Sequence, residues 1–151
     1  MSLTYLGNKK ILNNYKVGFL FSRKVPSNII LKTYDWAIEQ REKGICVVSG
    51  FHSKIEKDVF HYLVKGTQPI IIVLARGMYK RLPEIFKTEL EKNRLLIISP
   101  FDEKIKRATE RTATIRNKLI INLSNELKIP YISPNGILYK LLPAEQKIIY
   151  H

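Results

Sequence analysis

Little in this sequence is acidic, and almost none of it is cysteine. A single thiol, Cys46, sits in the apolar run ICVVS, so no disulfide can close within these 151 residues and no cysteine pair can share a metal. A lone thiol among apolar neighbours reads as buried and structural, and the chain suits a reducing compartment. His52, His61 and His151 lack the spacing of a zinc site. His61 reads as packing on its helix or facing solvent.

Long hydrophobic runs are also missing. None approaches the roughly 20 residues of a membrane-spanning helix, and the opening MSLTYLGNKK has no signal-peptide core. A cytoplasmic protein with no membrane role is expected. Three phosphate or catalytic signatures are absent: G-x-G-x-x-G after the first strand, G-x-x-x-x-G-K-[ST], and G-x-S-x-G. No dinucleotide or other cofactor is expected, and no catalytic residue is assigned; the chain reads as a binding protein, not an enzyme. The seven glycines and seven prolines are scattered singly along the chain, with no linker, repeat or low-complexity tract.

The scarcity of acid leaves a large excess of base. Lys plus Arg is 26 against 13 Asp plus Glu, a formal +13. That excess favours polyanionic partners such as nucleic acid, a nucleotide or an anionic surface, with mere solubility as the bland alternative. Hydrophobic residues make up 45%, enough for a real core.

What is present is a regular alternation. Apolar runs at 17–21, 45–49, 69–75, 94–99, 129–133 and 147–150 predict strands. Between them, 26–44, Ser53 to about Lys65, Pro83 to about Glu91, the stretch to about Leu127, and Gly136 to Leu142 predict helices. Gly44 suits a helix stop, and Ser53 with Glu56 forms a capping-box pattern. Strands apolar throughout and separated by helices imply a parallel sheet covered on both faces. The expected fold is α/β: a three-layer, Rossmann-like, mostly parallel sheet of about six strands with helices on both faces. Residues 1–151 read as one domain, with 1–16 as an N-terminal extension and 17–150 as the core.

In such folds ligands bind beyond the carboxyl ends of the strands. The residues that follow each strand are Ser22-Arg23, Ser49-Gly50-Phe51-His52, Arg76-Gly77, Ser99-Pro100-Phe101 and Ser133-Pro134-Asn135-Gly136. Glycine lets a ligand reach the backbone, helix-start amides point at anions, and arginine pairs bidentately with phosphate. The basic segment KRATERTATIRNK (106–118) feeds the same rim, with Lys106, Arg107, Arg111, Arg116 and Lys118. On this reading Ser22 and Arg23 hold one phosphate, Ser49 and Gly50 form a floor, and Arg76 and Gly77 an opposite wall. Arg116, with Asn117 and Lys118, clamps a second phosphate. Phe51, His52 and Phe101 offer rings for stacking on bases. Lys106 and Arg107 read equally well as solvated surface charge.

Taken in order, these segments resemble the DprA/Smf family of DNA-processing proteins. The family's glycine-serine-arginine turn is similar to Phe21-Ser22-Arg23. Its SG-x-A-x-G-I-D stretch is similar to Ser49-Gly50-Phe51-His52-Ser53-Lys54-Ile55-Glu56. Its arginine-asparagine-arginine helix resembles Arg116-Asn117-Lys118 and the apolar turn to Leu123-Ser124, preceded by ELEKNRLLIISPF (89–101). The resemblance covers about residues 17–150. The departures fall on the pocket: Phe21 for the turn glycine, Lys54 and Glu56 for glycine and aspartate, Lys118 for the second arginine. The resemblance implies single-stranded DNA bound in a basic pocket at the strand ends, in DNA uptake and recombination, with a RecA-type recombinase as partner. Two other readings stay open. One is a nucleotide sensor or nucleotide-processing enzyme of a related Rossmann-like family, although Ser133-Pro134-Asn135-Gly136 lacks a phosphoribohydrolase's paired glycines and glutamate. The other is an interaction protein with an acidic partner. A homodimer through an exposed helix or edge strand is compatible with each.

Overall fold

The computed structural model describes residues 2–21, 25–132, 138, 141, 148 and 149. Among these, seven strands form one sheet: β1 (Thr4–Gly7), β2 (Lys16–Phe19), β3 (Cys46–Ser49), β4 (Ile70–Val73), β5 (Leu95–Ser99), β6 (Glu126–Lys128) and β7 (Ile148–Ile149). Their order is β1-β5-β4-β3-β2-β6-β7. The six strands β2 to β7 are mutually parallel, as the apolar runs predicted. The helices are α1 (Ser27–Lys43), α2 (Lys54–Val64), α3 (Glu84–Glu91) and α4 (Glu110–Leu123).

The central strands are buried on both faces because their side chains alternate between two cores. On one face Phe19, Val47, Ile70, Ile72 and Ile97 pack under Ala37 of α1 and Val59 and Leu63 of α2, with Phe86 of α3 against them. On the other, Val48, Ile71, Val73, Leu96 and Ile98 pack with Ile120 of α4 and with Ile11. The helix ends follow the local chemistry. Gly44 closes α1 at φ 72°, in the left-handed region where a side chain is disfavoured. Ser53 and Glu56 form the expected capping box on α2. Thr109 and Thr112 form a second such box on α4, which the sequence reading did not single out.

Three expectations need correction. Residues 4–7, read as part of an extension, form the antiparallel edge strand β1, with Thr4 opposite Ser99 and Gly7 opposite Leu96. The last long helix was expected to reach Leu127 but stops at Leu123. The Ser124 hydroxyl donates to the Ile120 carbonyl at 2.6 Å, and Asn125 pairs with both backbone groups of Lys16, drawing the chain into the sheet. The fifth predicted strand therefore begins earlier, at Glu126–Lys128 rather than at 129. Pro130 has no N–H to continue a ladder. The predicted helix 136–142 falls, apart from Leu138 and Leu141, outside the described residues.

The strand starts are fastened by an internal cation. Arg94 pairs with Glu89 at 2.7 Å and donates to the carbonyls of Leu63, Val64 and Gln68. Both charged side chains are buried, so the arrangement is stable only because the guanidinium is multiply bonded.

Another buried cationic side chain, Lys128, lies over the Trp36 ring at 5.7 Å. Burial lowers its pKa from the usual 10.5 to about 8, while the charge of Glu39 opposes the shift. Between those values the unfolded chain binds more protons than the folded one, so stability rises with pH across that window and is flat in this respect below it. Urea unfolding near pH 7 and near pH 9.5 should show a rise of about 1 kcal/mol per pH unit at most that Lys128→Met lacks. An equal pH response in both proteins would show that Lys128 stays charged in the fold.

Candidate nucleic-acid interface

Beyond the carboxyl ends of β3 and β4 lies a cavity of about 610 Å³. Its walls come from five places. Gly50, Phe51 and His52 follow β3, and Leu74, Ala75 and Arg76 follow β4. Lys57, Phe60 and His61 project from α2, while Tyr79, Ile85 and Phe86 close the side toward α3. Lys106, Arg107 and Ala108, with Arg116 of α4, complete it. Among the described residues no carboxylate lines it.

Each wall is held by specific bonds. The turn after β3 keeps Phe51 at φ 45°, a conformation that costs energy for a bulky residue. The ring is buried against Phe60, with centroids 5.1 Å apart, and the Phe51 amide donates to the Ser49 hydroxyl at 3.3 Å. The Glu56 carboxylate accepts from the amides of His52 and Ser53 at 2.7 and 3.1 Å. The loops after β4 and β5 are interlocked. The Ser99 hydroxyl donates to the Arg76 carbonyl at 2.6 Å, and the Gly77 amide donates to the Ile105 carbonyl at 2.7 Å. That second bond sets the adjoining Lys106 and Arg107 at the cavity.

Arg116 is the cation that reaches deepest, at 8% exposure. Its Nε donates to Asn117 Oδ1 at 3.2 Å, the one hydrogen bond its guanidinium makes among the described residues. Burial pulls its pKa below the usual arginine range, and the nearby charge of Glu56 offsets part of that pull. Arginine's intrinsic pKa is so high that the group remains a cation. The guanidinium lies directly on Gly50, where a Cβ would come within 2.7 Å of Nη1. Arg76 is fixed differently: Nε donates to the Gly77 carbonyl at 3.1 Å, and the guanidinium lies 4.5 Å over the Tyr79 ring.

The predicted site residues thus divide. Gly50, Phe51, His52, Arg76 and Arg116 share the cavity. Ser49 is fully buried, with its hydroxyl turned to its own loop. Gly77 is buried too; a Cβ there would strike the Asp102 carbonyl at 2.4 Å, so its bareness serves the loop contact. Asn117 orients Arg116. Arg111 and Lys118 are exposed on α4 and line no part of the cavity. Seven residues apart, they share a helix stripe that Arg116 does not. Phe101 is half-buried and away from the cavity. Ser22 and Arg23 lie outside the described residues, as does the Ser133–Gly136 turn. Lys57, Phe60, His61, Tyr79 and Phe86 were not singled out for the site. Phe60 and Phe86 carry helical core spacing, Tyr79 sits in the loop after β4, and only Lys57 and His61, beside a capping box at a strand end, gave any sign.

Helices on both faces of a mostly parallel sheet define a Rossmann-like α/β protein, and its carboxyl rim carries a cavity lined by cations and, among the described residues, by no carboxylate. Within that class, the chain belongs to the DNA recombination-mediator protein A family, whose family model matches residues 1–130. DNA processing protein A from Helicobacter pylori, solved for its single-stranded DNA binding mode, is similar at TM-score 0.71 and 21% identity, covering 92% of this chain and 66% of that one. DNA processing protein A from Streptococcus pneumoniae is similar at TM-score 0.69 and 21% identity, covering 91% and 50%. The chain therefore spans between half and two thirds of these relatives, and at such identity the likeness is one of fold. No curated protein matches the sequence.

Gly50→Ala should push the Arg116 side chain aside without breaking the backbone, because the atoms it meets belong to a flexible side chain. Thermal unfolding should move by only a few degrees, about what 1 kcal/mol produces, while affinity for a phosphate-bearing ligand falls roughly tenfold. Unchanged affinity would place the ligand away from Arg116.

Proposed function

We propose that this chain binds single-stranded DNA through the cationic cavity at the strand ends, as a DNA-processing protein acting in uptake or recombination. One observation carries the reading. Lys57, Arg76, Lys106, Arg107 and Arg116 converge on one cavity, and among the described residues no carboxylate lies within ion-pair distance of any of them. Elsewhere several cations are paired: Lys43 with Glu39, Lys54 with Asp58, Lys87 with Glu84, Lys92 with Glu89. Charges left unneutralised in one place raise the local potential and attract a polyanion. Family membership and the fold shared with a protein solved for its single-stranded DNA binding mode favour DNA among polyanions.

Flexible single strands suit a concave site with aromatic walls, whereas a duplex is stiff and keeps its bases paired. Arg111 and Lys118, exposed on α4 outside the cavity, would extend the track along a backbone that leaves it. A RecA-type recombinase is the partner that the family resemblance suggests, and a second copy of the chain would pair through an exposed helix or edge strand.

The test is fluorescence anisotropy of a labelled single-stranded oligonucleotide over a salt series, with duplex of equal length as competitor. Binding should weaken linearly with log salt, and the duplex should compete poorly. Arg107→Ala, an exposed change, should lower the salt slope by about one and leave the melting temperature alone. Arg116→Ala should cost about 1–3 kcal/mol of binding. Slopes unaltered by both changes, or no binding at low salt, would remove DNA from this cavity.

A further inference from the structure

We propose that the open edge of β1 is a self-association surface, where the β1 of a second copy pairs antiparallel across a twofold axis at Tyr5. Among the described residues β1 ends the sheet and borders only β5. The Asn8 amide donates to the Leu95 carbonyl at 3.1 Å, so residues 4, 6 and 8 turn their backbone groups toward β5. Alternation sends those of Leu3, Tyr5 and Gly7 outward. No hydrogen bond of the described residues reaches these outward amides and carbonyls. A row of unpaired backbone groups is a template for another strand, and proteins usually guard it with charge or proline. Residues 2–7, SLTYLG, contain neither.

The spacing selects a second copy as the occupant. The outward residues are symmetric about Tyr5. With Tyr5 opposite the partner's Tyr5, Leu3 falls opposite the partner's Gly7, and every outward amide and carbonyl of both strands finds a partner. A slip of one residue would set outward groups against inward ones, and a slip of two would leave some unpaired. The side chains agree. Leu3 and Tyr5 lie on one face of the sheet and Leu6 on the other. Two Tyr5 rings would meet at the axis, and cross-strand aromatic pairs stabilise a ladder. Charge agrees as well. Two chains of +13 repel each other, and this strand offers an approach free of charge. Lys9 lies 4.3 Å over the Tyr5 ring, so each copy brings one cation near the axis, and salt relieves that repulsion. The product is one continuous sheet running through both copies. Its axis is perpendicular to the sheet, so the carboxyl ends of the two sets of parallel strands point in opposite directions and both cavities stay open. The proposal is independent of what those cavities bind.

The experiment is sedimentation velocity of the full chain without DNA, over a wide concentration range at low and high salt. The mass should rise from one copy to two with concentration. It should do so more readily at high salt, opposite in sign to DNA binding. Tyr5→Pro removes the donor on the axis and spares the β5 ladder, because that amide faces outward. The variant should melt close to wild type and sediment as one copy throughout. If it melts early, Tyr5→Cys decides. Mild oxidation should then link two copies, since Cα atoms paired this way lie about 5.5 Å apart, within disulfide reach. Cys46 is buried and does not compete. A wild type that stays a single copy at every concentration and salt would overturn the proposal. So would a dimer that a folded Tyr5→Pro leaves intact, or one that Tyr5→Cys fails to link.

Discussion

The arrangement at the rim depends on one close approach, the guanidinium of Arg116 against the bare backbone of Gly50. Arg116 belongs to α4, which packs through Ile120 on one face of the sheet. The cavity it lines opens over Phe60, Ile72 and Leu74, which belong to the core of the other face. The side chain thus passes round the strand ends from one layer to the other, and only a glycine at the end of β3 leaves room for it. A cation fixed this way, by burial and by Asn117, is ordered before any ligand arrives, so less freedom is lost on binding.

The same fold manages charge in two opposite ways. At the strand starts, Arg94 is saturated by Glu89 and three carbonyls, and it acts as a fastener. At the strand ends, Arg116 has one hydrogen bond and a carboxylate, Glu56, that is itself committed to the His52 and Ser53 amides. Two buried arginines in one small protein therefore do different things, and the difference lies in how many acceptors the fold gives them. Of the formal +13, five cations gather around the cavity, and none of them is in an ion pair among the described residues, whereas several on the outer helices are.

Much of this was legible in the sequence. The runs VVS, IIIV and LLIIS declared parallel strands because burial on both faces leaves no polar alternation, and Ser53 with Glu56 declared the start of α2. Once the strands were placed, the rim followed, and with it Gly50, Arg76 and Arg116. What was not legible depends on contacts distant in sequence. Nothing local marks Thr4–Gly7 as a strand, because its partner is β5, more than ninety residues on. Asn125 ends a helix by meeting Lys16, which no periodicity reports. Phe60 and Phe86 look like core and are core, yet they also wall the cavity, since a ring packed on one side can face a void on the other. Gly77 reads in the sequence as a phosphate glycine, and the packing role it has came only with the fold, because the β5–α4 loop folds onto it.

Amide hydrogen exchange with and without a short single-stranded oligonucleotide tests the central claim, that the strand-end cavity is where the nucleic acid sits. Added protection should concentrate in the segments around Gly50–His52, Arg76–Tyr79 and Lys106–Arg116, with none around Arg94. Protection confined to the opposite end of the sheet or to its outer helices, with those three segments unchanged, would contradict the account.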